Sequence, residues 1–342
     1  MASLRYSVGL DYHWQTIRVC VLGPDGSVLR NKECGNDVEA IVGVVADSLR
    51  GQAEGEVWVG IESSCGAADL AEKLRQRTNW QVHLGHPGYI ARMRQNPDKT
   101  DMHDAHLLAD LVRVNYLPRV CLAPLEIREL RMLVRYRQDL ARQRRAVKLQ
   151  IRALLREQRI STYLRPWTKG WLEWVATEAP LSEQGRWLMA QRLQQLRESQ
   201  AKLAAAEKRL ADVTSSDPEV ARLQEYKGIG RVTSWTLRAE IGRFDRFSSG
   251  KQLSRFCGLS PRNASSGQRQ ADAGLVQAAN RELRTVLIEA AHRLIRNDAH
   301  WSGFATRLLE RGKPKSVVVA AVANRWARRL YQEMKEPLPS AA

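Results

Sequence analysis

Short apolar runs open the chain and are separated by turn residues. Residues 6–11 and 16–22 are apolar, and the turn Pro24-Asp25-Gly26 leads to a third short run at residues 27–30. Runs of this length around a Pro-Asp-Gly turn are typical of β-strands that pair with their neighbours. The first thirty residues therefore predict a meander of two or three antiparallel strands.

The following segments alternate between the periods of helix and strand. Helical spacing predicts helices over residues 38–49, 67–77 and 89–95, and apolar runs predict strands over 57–61 and 81–84. Strands that alternate with helices after a hairpin indicate a mixed sheet with helices on its faces. We therefore expect an α/β fold for this part of the chain.

The pattern becomes helical throughout after residue 124. An apolar seam at residues 125–158 and leucines at about seven-residue spacing over 188–213 predict a long antiparallel coiled-coil hairpin. Trp167, Trp171 and Trp174 lie between the two helices, where they are expected to pack the tip of the hairpin and could also stack on nucleic-acid bases, since the two roles are compatible. The remaining helices are predicted over residues 218–226, 232–241, 253–259, 286–296, 301–311 and 317–331.

These patterns divide the chain into four parts. Residues 1–122 form the mixed-sheet domain, 123–216 the basic helical hairpin, and 217–336 a second, helical domain. Residues 337–342 are expected to be a frayed tail, because terminal residues without apolar anchors are seldom ordered.

Charge separates the first domain from the rest of the chain. The protein has a net charge of +17 and a pI near 10.1, which indicates a polyanionic partner such as nucleic acid. Residues 1–120 carry 13 Lys or Arg against 15 acids, whereas the remaining 222 residues carry 41 against 22. We therefore expect a first domain with nearly balanced charge, and we expect the remaining residues to bind nucleic acid.

The cysteines and the first residues bear on the compartment. The five cysteines are odd in number and never form a CxxC pair, which disfavours a disulfide framework and a zinc site: Cys20, Cys34, Cys65, Cys121 and Cys257. The first residues lack signal-peptide character, and no apolar run is long enough to cross a bilayer. We expect a cytoplasmic protein without a membrane partner.

The segment 97–111, PDKTDMHDAHLLADL, carries the most suggestive acids. Asp101 and Asp104 are three residues apart and share one face of a predicted helix, with Thr100 as its N-cap. First turns of helices favour Asp for the macrodipole alone, so this pair by itself is equally typical of a solvated helix face.

Two further acids each end a predicted strand. Asp11 follows the first apolar run and Glu62 follows the run at 57–61, so the two side chains meet if their strands are parallel neighbours. Converging carboxylates without a matching Lys or Arg repel each other unless divalent cations neutralise them. Oxygen ligands favour Mg²⁺ or Mn²⁺ over zinc, and two such ions can clamp the attacking and leaving oxygens of a phosphodiester.

The residue sequences of these segments resemble the motifs of a known family. GLD at 9–11, GIESS at 60–64 and KTDMHDAHLLA at 99–109 follow one another as in the bacterial insertion-sequence transposases of the IS-one-ten family. The resemblance implies a ribonuclease H-like (RuvC-like) domain of the Holliday-junction resolvase type, with Asp11, Glu62, Asp101 and Asp104 as its metal-binding DEDD set. Sugar kinases and actin-like ATPases share this fold, but Asp11 is not followed here by their Gly/Thr phosphate-binding turn.

The resemblance extends to a serine in the second half. Gly258-Leu259-Ser260-Pro261, Ser266-Gly267 and Leu283-Arg284 are similar to the family's carboxy-terminal motifs, which implies that Ser266 is the nucleophile. The adjacent Ser265 is a competing position, and Ser, Asn and Gly also form ordinary turns. The segment 277–280, Gln-Ala-Ala-Asn, departs from the basic residue and glycine common in the family, which puts the phosphate contacts of this loop in doubt.

A glycine pair marks one more candidate element. Lys227-Gly228-Ile229-Gly230 separates two predicted helices and resembles the helix-hairpin-helix DNA-binding element, in which backbone N–H groups approach a phosphate. Such a motif is also common as a tight turn. Basic residues toward the end of the chain are predicted either to face DNA or to be solvated: Arg293, Arg296, Arg307, Arg311, Lys313 and Lys315.

Together these features predict a DNA transposase and site-specific recombinase with a composite active site. Ser266 would attack a phosphodiester polarised by Mg²⁺ or Mn²⁺, leaving a phosphoserine link and a free hydroxyl. The resemblance also implies a bacterial protein that acts at the nucleoid as a homo-oligomer, a dimer or tetramer, and is guided by an element-encoded RNA. Two alternatives stay open: a metal-dependent junction resolvase or nuclease that uses water, and a nucleic-acid-binding protein with a degenerate catalytic fold.

Overall fold

The computed structural model describes residues 4–93, 100–263, 272–277 and 279–336. The chain forms two compact units, Met1–Leu122 and Ala123–Ala342. The predicted hairpin and the helices after it both belong to the second unit.

The first unit is built on a six-stranded mixed sheet. Its elements in chain order are β1 (Leu4–Tyr12), β2 (Thr16–Leu22), β3 (Val28–Gly35), α1 (Val38–Ser48), β4 (Gly55–Glu62), α2 (Ala67–Arg77), β5 (Gln81–Gly85), α3 (Pro87–Met93), α4 (Asp101–Arg113) and β6 (Arg119–Val120). The sheet order is β3-β2-β1-β4-β5-β6. The meander β1–β3 is antiparallel, β1, β4 and β5 are parallel, and β6 returns antiparallel to β5.

This architecture confirms the prediction of a mixed α/β sheet followed by a helical region, and it is consistent with a ribonuclease H-like domain. The strand β6 was not predicted. It has only two residues, Arg119 and Val120, so it carries no apolar run, and only its pairing with β5 makes it a strand.

Helices cover both faces of the sheet. On one face, apolar side chains of β1, β2, β4 and β5 pack with those of α1 and α2 around a fully buried core that includes Leu10, Ile17, Ile41, Ile61 and Leu74. On the other face, α4 packs on β1 and β2, where Ala105 and Ala109 contact Cys20 and Leu22. The small residues at this contact bring the backbone of α4 close to the sheet.

One histidine of β5 makes the stability of the first unit sensitive to acid. Burial, Arg119 and Arg75 lower the pKa of His83 from 6.5 to about 4, and its buried Nε2 has no hydrogen-bond partner among the described residues. The folded state therefore resists protonation of a ring that an unfolded chain protonates near pH 6.5.

We expect the free energy of unfolding to fall between pH 6.5 and pH 4 because of this ring. The contribution of neutral His83 is complete above pH 6.5 and is lost toward pH 4, by on the order of 1 kcal/mol after solvent screening. Urea unfolding of the full chain at the two pH values should show a smaller loss in His83→Phe than in the unaltered protein. Equal losses would contradict the assignment.

Two long antiparallel helices dominate the first part of the second unit: α5 (Leu125–Glu157) and α7 (Glu183–Val213), with the short α6 (Lys169–Thr177) between them. Their shared clusters run in opposite directions along the two helices, from Leu130 with Leu210, through Leu140 with Leu203, to Ile151 with Leu193. Trp171 is buried at the tip and Trp167 packs beside it, with ring centroids 4.8 Å apart. The packing role predicted for these tryptophans is thus observed.

The rest of the second unit is a compact helical core. It contains α8 (Pro218–Gln224), α9 (Arg231–Ile241), α10 (Gly250–Phe256), β7 (Pro261–Asn263), β8 (Asp272–Leu275), α11 (Arg281–Asn297), α12 (Ala299–Glu310) and α13 (Lys315–Met334). The hydrophobic pattern predicted no element between residues 259 and 286, but β7 and β8 pair antiparallel there. Pairing of two short strands is a tertiary contact that leaves no periodic signal in so few residues.

A buried carboxylate connects three helices of this unit. Glu240 of α9 is 3% exposed and accepts hydrogen bonds from Arg135 of α5, at 2.8 and 3.1 Å, and from Asn280 Nδ2 at 2.8 Å. Asn280 is in turn the N-cap of α11, accepting from Leu283 N at 3.0 Å. This network holds Asn280, and with it the start of α11, in place after the β7–β8 segment.

None of the helices that the structure describes combines the length and the apolar character needed to cross a bilayer.

Candidate active site

The two strand-terminal acids lie on neighbouring parallel strands. Leu10 of β1 pairs with Ile61 of β4, so Asp11 and Glu62 follow in register at the carboxyl end of the sheet. Residues in register on adjacent strands project from the same face. The sequence predicted that Asp11 and Glu62 meet if their strands are parallel neighbours, and β1 and β4 are such neighbours.

The other two acids begin α4. Thr100 is the N-cap of this helix, and its hydroxyl oxygen accepts from His103 N at 3.4 Å, as predicted. Asp101 is exposed, with 51% of its side chain accessible, whereas Asp104 is only 7% exposed. Asp104 thus lies on the buried stripe of α4, so the two acids that were predicted to share one face differ in their exposure.

A histidine joins the acids of β1 and α4. The Nε2 atom of His13 lies 3.2 Å from Asp11 Oδ2 and 3.5 Å from Asp101 Oδ1. One ligand atom from each of these three residues lies within 4.8 Å of the others. Asp11, His13 and Asp101 are thus brought together from two elements that are ninety residues apart in sequence.

Burial and neighbouring charges oppose each other at Asp11. Its side chain is 17% exposed, and desolvation raises its pKa above the ordinary value, with the carboxylates of Asp104 and Asp101 acting in the same direction. His13 lowers the pKa of Asp11 both by charge and by its hydrogen bond. A carboxylate that is costly to ionise in this position gains the most from a bound cation.

The donors at this point fit a divalent cation. Two carboxylates from different elements, one partly desolvated, supply hard oxygen ligands, and an imidazole nitrogen adds a borderline ligand that Mn²⁺ also accepts. The sequence predicted Mg²⁺ or Mn²⁺ from oxygen ligands alone, and His13 adds a nitrogen ligand to that set. Glu62 and Asp104 are outside this group of three but adjoin it, Glu62 through the strand register and Asp104 through its charge interaction with Asp11.

Sequence reasoning did not identify His13 as a member of this site. The available signal was its spacing, because residues two apart on an extended chain face the same side and His13 follows Asp11 by two. A turn-forming polar residue after a strand is common, so the spacing alone had little weight. The approach of α4 gives His13 its second acidic neighbour.

The predicted nucleophile lies outside the described residues, as do Ser265 and Gly267. The structure describes the framework on either side of them. Gly258 has φ +68°, and a Cβ there would lie 2.7 Å from Arg284 Nε. Arg284 itself donates from Nη2 to the carbonyl oxygen of Val276. The residues matched to the family's flanking motifs therefore contact one another at the base of the β7–β8 segment.

The glycine pair after α8 forms the predicted turn between two helices. Gly228 has φ +84°, a left-handed conformation that favours glycine, and Gly230 is the N-cap of α9, which has no side-chain cap. Arg293 donates to the Gly228 carbonyl oxygen at 2.9 Å from Nη2. The local geometry is that of a helix, a tight turn and a second helix, while its contact with DNA stays a prediction.

Comparisons with known proteins agree with the motif assignments. A family model described as a transposase, with a DEDD domain of the IS110 type, matches residues 8–159, and a model described as the transposase IS116/IS110/IS902 family matches residues 220–305. The first match contains all four acids of the predicted set, and the second contains the β7–β8 segment.

Individual relatives have similar descriptions. A probable family 20 transposase of Pseudomonas aeruginosa is 28% identical over 78% of this chain and 81% of its own length. The transposase for insertion sequence element IS1111A of Coxiella burnetii is 28% identical over 69% of this chain and 66% of its own length, and a putative transposase of Sinorhizobium fredii is 29% identical over 61% and 53%. The resemblance predicted from the ordered motifs is thus confirmed, and the chain belongs to the IS110 family of insertion-sequence transposases.

Proposed function

We propose that this transposase cuts and rejoins DNA strands by transfer to a serine, with the acids of the first unit holding the metal that the reaction needs. The observation that carries the proposal is the grouping of Asp11, His13 and Asp101 at the carboxyl end of β1, with Glu62 and Asp104 adjoining them. Such a group has no evident structural role, because it concentrates like charges at the edge of a sheet.

Each side chain has a defined part in the proposed reaction. Asp11, Glu62, Asp101 and Asp104 would hold Mg²⁺ or Mn²⁺, and His13, whose Nε2 contacts Asp11 and Asp101, would add a nitrogen ligand. When bound, a divalent ion supplies positive charge that stabilises the developing charge on the scissile phosphate. The acids themselves offer no nucleophile that fits strand rejoining, which leaves that part to a hydroxyl elsewhere in the chain.

Ser266 is the hydroxyl that we assign to this part. Its Oγ loses a proton and forms a new bond to phosphorus while the bond from phosphorus to one deoxyribose oxygen breaks, and the departing oxygen takes up one proton to become a free hydroxyl. The number of phosphodiester bonds is unchanged, so a second DNA hydroxyl can reverse the step without ATP. Support for Ser266 comes from the match to the family motif, with Ser265 as the neighbouring alternative.

The partners follow from the family and from charge. A transposase binds DNA, and the strongly basic second unit suits a polyanion. We extend this to a homo-oligomer, a dimer or tetramer, in which an RNA from the element pairs with donor and target DNA in the bacterial nucleoid. The resemblance is the support for the RNA and for the oligomer.

The test is to trap the covalent intermediate. The full chain, co-expressed with the non-coding flanks of its element, is incubated with element-end DNA and Mg²⁺ or Mn²⁺, and adducts are sought by denaturing gel and peptide mass spectrometry. We expect a protein–DNA adduct on Ser266 that disappears in Ser266→Ala and in Asp101→Asn but persists in the matched Ser265→Ala.

Other outcomes would overturn parts of the proposal. An adduct on Ser265 would move the nucleophile by one residue. Nicked DNA without an adduct, at a rate unaffected by Ser266→Ala, would indicate a nuclease that uses water. DNA binding without cleavage in any metal would indicate a protein that has kept the fold and lost the chemistry.

A further inference from the structure

The last helix of the second unit has a basic face that the sequence analysis did not select. Arg325, Arg328, Arg329 and Gln332 are all exposed and follow the spacing i, i+3, i+4, i+7, so they form one stripe along α13. The opposite face is buried in the helical core through Val322, Trp326, Leu330 and their neighbours. Packing of the apolar face therefore fixes the direction in which the stripe points.

A second helix adds a lysine and turns the stripe into a cleft. Gly250 begins α10 against α13, where a Cβ would lie 3.0 Å from the Arg328 carbonyl oxygen, so the two helices approach closely at this point. Lys251 follows on α10 and lines a cavity of about 690 Å³ together with Arg325, Arg328 and Arg329. We call these four residues the basic cleft.

The charges of the basic cleft are only partly neutralised. Arg329 pairs with Glu333, with Nε 2.8 Å from Oε1. Lys251 and Arg328 form no ion pair with any residue that the structure describes, and Arg325 contacts the Phe304 ring at 4.4 Å instead of an acid. Three cations that converge on one cavity repel one another, and an anion in the cavity would relieve that repulsion.

The composition of the cleft indicates the kind of anion. Pockets of this size that bind small molecules are mainly apolar with a few polar groups. Here four of the seven lining residues are cationic, which suits a repeated anion instead of a single small ligand. A nucleic-acid backbone presents phosphates at regular intervals, and Lys and Arg provide most of its contacts in proteins.

We propose that the basic cleft, which is formed by residues of the second unit alone, is a docking surface for the phosphate backbone of duplex DNA. A duplex is favoured over a single strand because no aromatic side chain lines the cleft among the described residues, and single-strand sites depend on aromatic stacking. The contacts are to phosphate, so they hold the DNA without reading its sequence. This inference rests on the DNA-handling function proposed above.

The test measures how DNA affinity depends on salt. Binding of the full chain to a mixed-sequence DNA duplex is followed by fluorescence anisotropy over a series of salt concentrations, in EDTA so that no cleavage occurs. Each phosphate contact contributes about 0.9 to the slope of log affinity against log salt concentration. We expect the triple variant Lys251→Gln, Arg325→Gln and Arg328→Gln to bind more weakly and to lose about 2 to 3 from that slope.

A matched variant controls for net charge and for folding. Arg50→Gln, Lys73→Gln and Arg77→Gln remove the same charge from the first unit, where each residue is already paired with an acid. This control should keep nearly the full slope, and both variants should keep the circular dichroism spectrum of the unaltered chain.

Three results would overturn the inference. The first is an unchanged slope in the cleft variant, and the second is an equal decrease in the control. The third is a decrease with the element's non-coding RNA as the probe but none with duplex DNA, which would assign the cleft to RNA. None of these measurements depends on strand cleavage. The binding results would therefore still test the basic cleft if the adduct experiment failed.

Discussion

The Asp11→Asn variant should lose strand cleavage by at least ~10³-fold, about 4 kcal/mol of activation free energy, while it binds DNA as tightly as the unaltered protein. Asp11 is the partly desolvated member of the acidic group and contacts His13 at 3.2 Å. An amide of the same size removes the negative charge that would hold a divalent cation but leaves the packing at the end of β1 intact. The measurements are single-turnover cleavage with Mg²⁺ or Mn²⁺ and anisotropy for binding.

A carboxylate outside the site provides the control for this variant. Asp69 is exposed on α2, and its one ion pair within the described part of the chain is with Lys73, so Asp69→Asn should cleave at the rate of the unaltered protein. Isothermal titration with Mn²⁺ should show binding in the control and a loss of binding in Asp11→Asn. Full cleavage by Asp11→Asn would remove the acidic group from the reaction and place the metal elsewhere.

The Gly9→Ala variant should destabilise the first unit by about 3 kcal/mol and reduce cleavage together with stability. A Cβ at Gly9 would overlap the carbonyl oxygen of Ala105 and would lie 2.5 Å from Ala109 N. These are backbone atoms of α4, which cannot rotate away as a side chain does. The methyl group would push α4 from β1 and would separate Asp101 from Asp11.

A second glycine of the same unit provides the contrast. Gly43 lies on the exposed face of α1, and a Cβ there would meet nothing within 4 Å. Gly43→Ala should therefore leave cleavage unchanged and stabilise the helix by about 0.5 to 1 kcal/mol. Urea unfolding and single-turnover cleavage of the two variants test the close approach of α4 to β1. Equal stability of Gly9→Ala and the unaltered protein would show that α4 packs at a greater distance.

The sequence was most informative where local pattern controls local structure. The strand β2 and the helix α2 have the predicted limits, residues 16–22 and 67–77, because an apolar run between turns and a helical repeat are each complete within their own segment. The Thr100 cap of α4 was predictable for the same reason. The family was predictable from three motifs in a fixed order, because residue identity and order can be recognised in the sequence without knowledge of the fold.

Tertiary structure decided the features that depend on two distant segments. The strands β6 and β7–β8 exist through pairing, His13 acquires its second acidic neighbour when α4 packs on β1, and Asp104 is buried by that same contact. The basic cleft likewise needs both α10 and α13, since each helix alone presents only a solvated basic face. A single segment fixes which residues share a face, but which faces meet is determined by burial of apolar surface across the whole chain.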